Sequence, residues 1–248
     1  MFEKNDDARV KLFADHGVRK DGYKWVPDFV YGGIDGAVTT FAVVAAVEGG
    51  GLALPVILIM GLANLLADGF SMAVGKFSSD RVAIQEYGKI KAMEFLHIEE
   101  KPEHEREEVQ FILEKQYNFK GKDLERAVEV ITADKDSWVD LLMRNKFNMT
   151  RENVSPLKGA LATFISFLLI GSIPLVSYLM NEFVDFGDTN LFFVTCVFTL
   201  VALFIVGAIK GRVTDTSKFW GGLEVMAIAG SAAGISYYVG WLLRGLGA

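Results

Sequence analysis

Cysteine and histidine are nearly missing from this 248-residue chain, which has one of the first and three of the second. The single thiol, Cys196, lies in an apolar run, so neither a disulfide framework nor a cysteine-based zinc site can be built. It reads as a small buried hydrophobe. Residues 1–28 hold no apolar stretch before Phe29, so no cleavable signal is expected and the first span is expected to act as the insertion signal. Basic charge in excess is also lacking. The net charge of −6 speaks against a nucleic-acid partner and suits cation binding. Lys and Arg are missing altogether from 48–51 and 181–190.

What is present is segregated. Mean hydropathy is +0.30 although 23% of residues are charged. Residues 29–77 and 157–243 are almost uniformly apolar, and a Glu- and Lys-rich stretch lies between them. A helical span needs about twenty apolar residues. Five stretches qualify: Phe29 to Val47, Leu52 to Phe77, Leu157 to Met180, Leu191 to Ile209 and Phe219 to Leu243. Gly49-Gly50-Gly51 reads as the tight connection between the first two, and Pro174 is expected to kink the third. The expected fold is an all-α membrane protein of five transmembrane helices, with a cytoplasmic helical metal-binding insert between spans 2 and 3. The divisions are 1–28, a cytoplasmic segment; 29–77, spans 1 and 2; 78–156, the insert; and 157–248, spans 3 to 5.

Loop charge predicts the orientation. Arg9, Lys11, Arg19, Lys20 and Lys24 precede the first span, and Lys210, Arg212 and Lys218 lie between the last two. Basic loops stay cytoplasmic. The N-terminus and the insert then face the cytosol, and the C-terminus faces the opposite side.

Ionisable groups within a span are costly and mark an ion or substrate path. Asp35 lies in the first span with Thr39 one turn on. Asn64, Asp68 and Met72 share one face of the second at i, i+4, i+8. Gly32, Gly33 and Gly36 leave room near Asp35 for another helix or an ion. Oxygen donors suit hard cations and a thioether is a soft ligand, so the mixture points to Fe2+, Mn2+, Co2+ or Zn2+. These five residues are the candidate translocation path.

After Met72 no proline appears before Pro102 and a glycine such as Gly88 is tolerable, so one long helix is expected to run out of the second span. Helices over about 103–117, 122–133 and 136–147 should follow, with Leu124, Ala127, Val128, Ile131, Trp138, Leu141 and Leu142 on their apolar faces. Glu94-x-x-His97 and Glu105-x-x-Glu108 each place two ligand types on one helix face, and the Lys101-Pro102 corner folds the two faces together. Carboxylate–imidazole clusters on helices bind iron and manganese. A solvated acidic face is the plainer alternative, since Glu99, Glu100, Glu103 and Glu107 crowd the same stretch.

The residues Tyr31-Gly-Gly-Ile-Asp-Gly-Ala-Val-Thr-Thr-Phe41, Gly61-Leu-Ala-Asn-Leu-Leu-Ala-Asp-Gly-Phe-Ser-Met-Ala-Val-Gly75 and Gly221-Gly-Leu-Glu-Val225 resemble the vacuolar iron transporter family. The resemblance runs from about residue 28 to the end. It implies export of cytosolic Fe2+, and often Mn2+, in exchange for protons. It also implies a homodimer with the path between subunits, Asp35 and Met72 lining that path, and an insert that collects metal through Glu94, His97, Glu105, Glu108 and Met143. His97 stands where the family has a glutamate, Leu142-Met143 where it has a Met-Met pair, and Lys146 and Asn64 where glutamates are found. Either a prokaryotic inner membrane or a vacuolar membrane fits. No enzyme is expected: a di-iron oxidase needs two Glu-x-x-His motifs, and only Glu94–His97 has the spacing. A membrane-anchored sensor or storage protein without transport is the other alternative.

Overall fold

The computed structural model describes residues 25–150, 155–181 and 191–245. Those residues fold into helices joined by short turns, with no strand among them. The basic residues from Arg9 to Lys24 and nearly all of the 181–190 connection lie outside the described residues, and with them much of the charge pattern used for orientation. In chain order the helices are α1 (Val26–Gly50), α2 (Leu54–Glu100), α3 (Pro102–Gln116), α4 (Gly121–Thr132), α5 (Lys135–Asn145), α6 (Pro156–Gly171), α7 (Ile173–Met180), α8 (Leu191–Val213) and α9 (Lys218–Leu243). Among the described residues, five helical segments are long and apolar enough to cross a membrane: α1, α2, α6 with α7, α8 and α9.

The described residues form two compact units, one up to Phe77 together with those from Ser155 onward and one beginning at Ser78 between them. In the first, α1 is the central helix. Pro27 opens it without wasting a donor, and Gly51 closes it at φ 66°. The Gly51 N–H donates to the Glu48 carbonyl and the Leu52 N–H to the Val47 carbonyl, a Schellman closure that only a left-handed residue permits. The expected three-glycine connection is therefore shorter than the sequence suggested. Gly49 and Gly50 are helical, and Gly49 lies so close to the backbone carbonyl of Tyr237 on α9 that no Cβ would fit.

Close helix approach also settles the glycines around Asp35. A Cβ on Gly36 would stand 2.7 Å from the Phe167 carbonyl oxygen, and one on Gly32 would overlap the Thr163 backbone. These glycines admit α6, in the manner of small-residue contacts in lipid. Two apolar clusters complete the unit. One joins Val44, Val47, Ile57, Leu65, Phe167, Leu175, Tyr178 and Leu191, and the other Ala37, Phe41, Ala45, Leu203, Val225, Ala229 and Ala233. Outside them, Ile59, Leu62, Leu66 and Phe70 on α2 and Ile235, Tyr238 and Leu242 on α9 are exposed, a surface suited to lipid and not to water.

The third span differs from one continuous helix. It breaks at Ser172, because Pro174 has no N–H to continue the ladder, and α7 restarts with Leu175 donating to the Ser172 carbonyl. The fourth outruns its expected end at Ile209 and reaches Val213, with Lys210 and Arg212 in the last turn where the helix dipole favours cations.

The second unit packs the Ser78–Glu100 part of α2 with α3, α4 and α5. Its core is Ile98, Val109, Ile112, Leu113, Leu124, Trp138, Val139, Leu142 and Met143. Lys101 leaves helical geometry (φ −137°, ψ 55°) because the residue before a proline is pushed out of the α region, and Pro102 then starts α3. Asp134 caps α5 by accepting from the Ser137 N–H and hydroxyl. Those two bonds hold its carboxyl below the usual aspartate range.

Candidate functional site

The α2–α3 corner brings Glu94 and His97 of the first acidic motif together with Glu105 of the second. Glu94 and His97 come from the last turns of α2, and Glu105 from the first turn of α3. His97 Nδ1 lies 3.5 Å from Glu94 Oε1 and 3.8 Å from Glu105 Oε1. One ligand atom from each of the three lies within 4.8 Å of the others. Ligands at about 2.1 Å from one ion, at tetrahedral or octahedral angles, stand about 3.0–3.4 Å apart. The observed spacing is thus slightly wider than a loaded metal site and too wide for direct hydrogen bonds.

Glu94 decides what this geometry means. Its side chain is 0% exposed, and neither carboxylate oxygen has a hydrogen-bond partner. A buried charge without hydrogen bonds is costly unless a cation compensates it. A solvated acidic face, the plainer alternative from sequence, does not describe a carboxylate in this position. Glu105 is also buried, with Oε2 lacking a hydrogen-bond partner. Burial is the largest influence on its carboxyl and lifts it above the ordinary glutamate range; Lys146 pulls it down, and Glu108 and Glu94 push it up.

Sequence reasoning noted Lys146 only as a departure. In the structure it is inside the cluster: its Nζ stands 2.7 Å from Glu108 Oε2, 3.5 Å from Glu94 Oε1 and 3.7 Å from Glu105 Oε2. Burial works against the ammonium, but Glu108 and the charges of Glu94 and Glu105 outweigh it, so Lys146 holds its proton more tightly than an ordinary lysine. Glu108 therefore belongs to Lys146 more than to the three-ligand group. Met143, three residues before Lys146, is buried in the apolar core among Leu142, Val139 and Trp138. His104 lies apart and exposed, facing Glu107 and Glu108.

The polar residues of the first unit are arranged differently. Asp35 is half-buried on α1 and lies within electrostatic range of Asp68, itself half-buried on α2. The Thr39 hydroxyl donates to the Asp35 carbonyl at 2.8 Å and contacts the Gly36 carbonyl at 3.3 Å, leaving only acceptor lone pairs for an ion. Asn64 is half-buried, and its Nδ2 is buried without a hydrogen-bond partner. Met72 packs against the Ile57–Leu65–Phe167 cluster.

A polar group that sequence reasoning missed closes α1: the Tyr178 hydroxyl donates to Glu48 Oε1 at 2.7 Å, beside a short Ser177–Thr195 hydroxyl contact. The signal was available, since Glu48 is a lone carboxylate ending an apolar run in a connection without Lys or Arg.

The profile of the VIT family matches residues 26–241, spanning both units and all five apolar segments. The chain belongs to the VIT family. Among its relatives, the vacuolar iron transporter of Toxoplasma gondii is 30% identical over 226 residues, covering 89% of this chain and 74% of the relative. That of Plasmodium berghei is 30% identical over 235 residues (92% and 85%), and vacuolar iron transporter 1 of Arabidopsis thaliana is 29% identical over 214 (84% and 83%). The relatives are named as transporters, and the five apolar helical segments found among the described residues fit a multi-pass membrane protein.

Proposed function

We propose that the protein exports Fe2+, and also Mn2+, from the cytosol in exchange for protons, working as a homodimer. The ion is collected at Glu94, His97 and Glu105 in residues 78–154, on the cytoplasmic side, and passes along the Asp35–Asp68 pair with Asn64 and Met72 nearby. The observation that carries this reading is Glu94: a fully buried carboxylate with neither oxygen hydrogen-bonded, facing an imidazole, a second carboxylate and, at 3.5 Å, an ammonium that it shares with Glu105 and Glu108. Two carboxylates with one imidazole suit borderline divalent ions, and Co2+ or Zn2+ would compete. The iron named in the relatives supports the cargo assignment.

Proton coupling rests on two carboxylates within the apolar spans, Asp35 and Asp68. Both ionise to hold a divalent ion, and one regains a proton when it leaves. The exposed apolar face of α2 supplies a surface for a second copy. The host membrane is either a prokaryotic inner membrane or a vacuolar one, with the C-terminus on the side away from the cytosol.

The test is Fe2+ and Mn2+ flux into proteoliposomes with and without an imposed pH gradient, for the wild type and Asp35→Asn. Flux that follows the gradient and collapses in the variant is expected. Full, gradient-coupled flux in Asp35→Asn sinks the path assignment. Metal binding with no flux in the wild type favours a sensor or storage role.

A further inference from the structure

Lys146 is the C-cap of α5, where the helix end favours a cation, and its backbone is fixed by donation to the Leu142 carbonyl. Its side chain turns inward and is only 28% exposed, with Nζ 5.2 Å from the centre of the Phe147 ring. Three carboxylates from α2 and α3 share this one ammonium.

We propose that Lys146 is a tethered cation occupying the second half of the metal cluster, so that this chain holds one divalent ion where a carboxylate at position 146 would admit two. The inference rests on the metal reading above. Charge and geometry both carry it. Glu94, Glu105 and Glu108 with Lys146 leave two negative charges, which one divalent ion neutralises. A second ion would leave an excess of positive charge in a buried site. The donor atoms of Glu94, His97 and Glu105 already converge on one point, while Glu108 Oε2 is taken by Lys146 at 2.7 Å. A second ion would need Glu108 and would have to expel the ammonium from it.

Room exists for such an ion. A cleft of about 410 Å³, lined by Glu107, Glu108, Phe111, Ile112, Asn145 and Lys146 among others, opens beside the cluster. Lys146 thus acts as a specificity-determining residue. It sets how many ions the site holds and how strongly, and it keeps Glu108 neutralised while the first site is empty.

The experiment is Mn2+ titration of the full-length purified protein, read by calorimetry and electron paramagnetic resonance, for the wild type, Lys146→Glu, Lys146→Gln and Glu94→Gln. Ions bound elsewhere in the chain are common to all four and cancel in the differences. Lys146→Glu should bind one more Mn2+ per chain than the wild type and show a spin-coupled signal from two neighbouring ions. Lys146→Gln, which only removes charge, should bind the first ion roughly tenfold tighter. Wild-type stoichiometry, affinity and spectrum in both Lys146 variants, with binding still weakened by Glu94→Gln, would overturn the role of Lys146 and leave the metal site standing. Unchanged binding in Glu94→Gln would overturn the metal site itself, and this inference with it.

Discussion

Glu94→Gln should stabilise the second unit in the absence of metal and remove its stabilisation by metal. The substitution keeps the shape of the side chain. It replaces a carboxylate that is 0% exposed and has no hydrogen bond by an amide that can donate to Glu105, whose Oε2 lacks a partner. Relieving one buried unsatisfied polar group is worth about 1–3 kcal/mol. The loss of the contact to Lys146 at 3.5 Å offsets little of it, because Lys146 retains Glu108 at 2.7 Å. With metal at a hundred times its dissociation constant, the wild type gains about 2.7 kcal/mol, and the variant loses that increment with its charged ligand. The assay is hydrogen exchange of the full-length protein, followed in peptides spanning Glu94–Glu108, with chelator and with saturating Mn2+. With chelator, exchange in the variant should slow by roughly five- to 150-fold. With Mn2+ that advantage should be largely cancelled or reversed. Faster exchange than wild type under both conditions would refute the reasoning, because it would mean that the buried carboxylate is compensated within the protein.

The raised Glu105 carboxyl adds a pH dependence. A carboxyl whose folded value lies above its unfolded one stabilises the metal-free fold at low pH, and that contribution is lost as pH rises through the folded value. Metal affinity runs the opposite way, so Mn2+ binding should weaken as pH falls through a point above the ordinary 4.5, as calorimetry at stepped pH will show. Gly36→Val should cost about 1–3 kcal/mol by forcing a side chain against the Phe167 carbonyl, and should appear as a lower aggregation temperature in detergent. Asp35→Asn, by contrast, should leave that temperature near wild type while abolishing gradient-driven flux.

Much of the fold was legible because its signals are local. Apolar runs of span length need no tertiary information, and Pro102 breaks a helix in any context, so the α2–α3 corner followed from the sequence. Two i, i+3 faces on either side of one corner led to the expectation that Glu94, His97, Glu105 and Glu108 converge; the first three lie together, and Glu108 does not join them. What sequence left open were choices between equivalent neighbours. Gly32, Gly33 and Gly36 could have admitted an ion or a helix, and only the position of α6 decided for the helix. Glu105 and Glu108 look alike in sequence; the fold buries the first among the ligands and gives the second to Lys146. The lysine itself lies 38 residues beyond Glu108 in the chain, and no local rule links the two. The sequence by itself determined five apolar spans, a polar stretch between them and the ligand types available. Only the tertiary structure decided which carboxylates lose their water and which cation stands beside them, because burial and charge pairing depend on what α5 brings to α2 and α3.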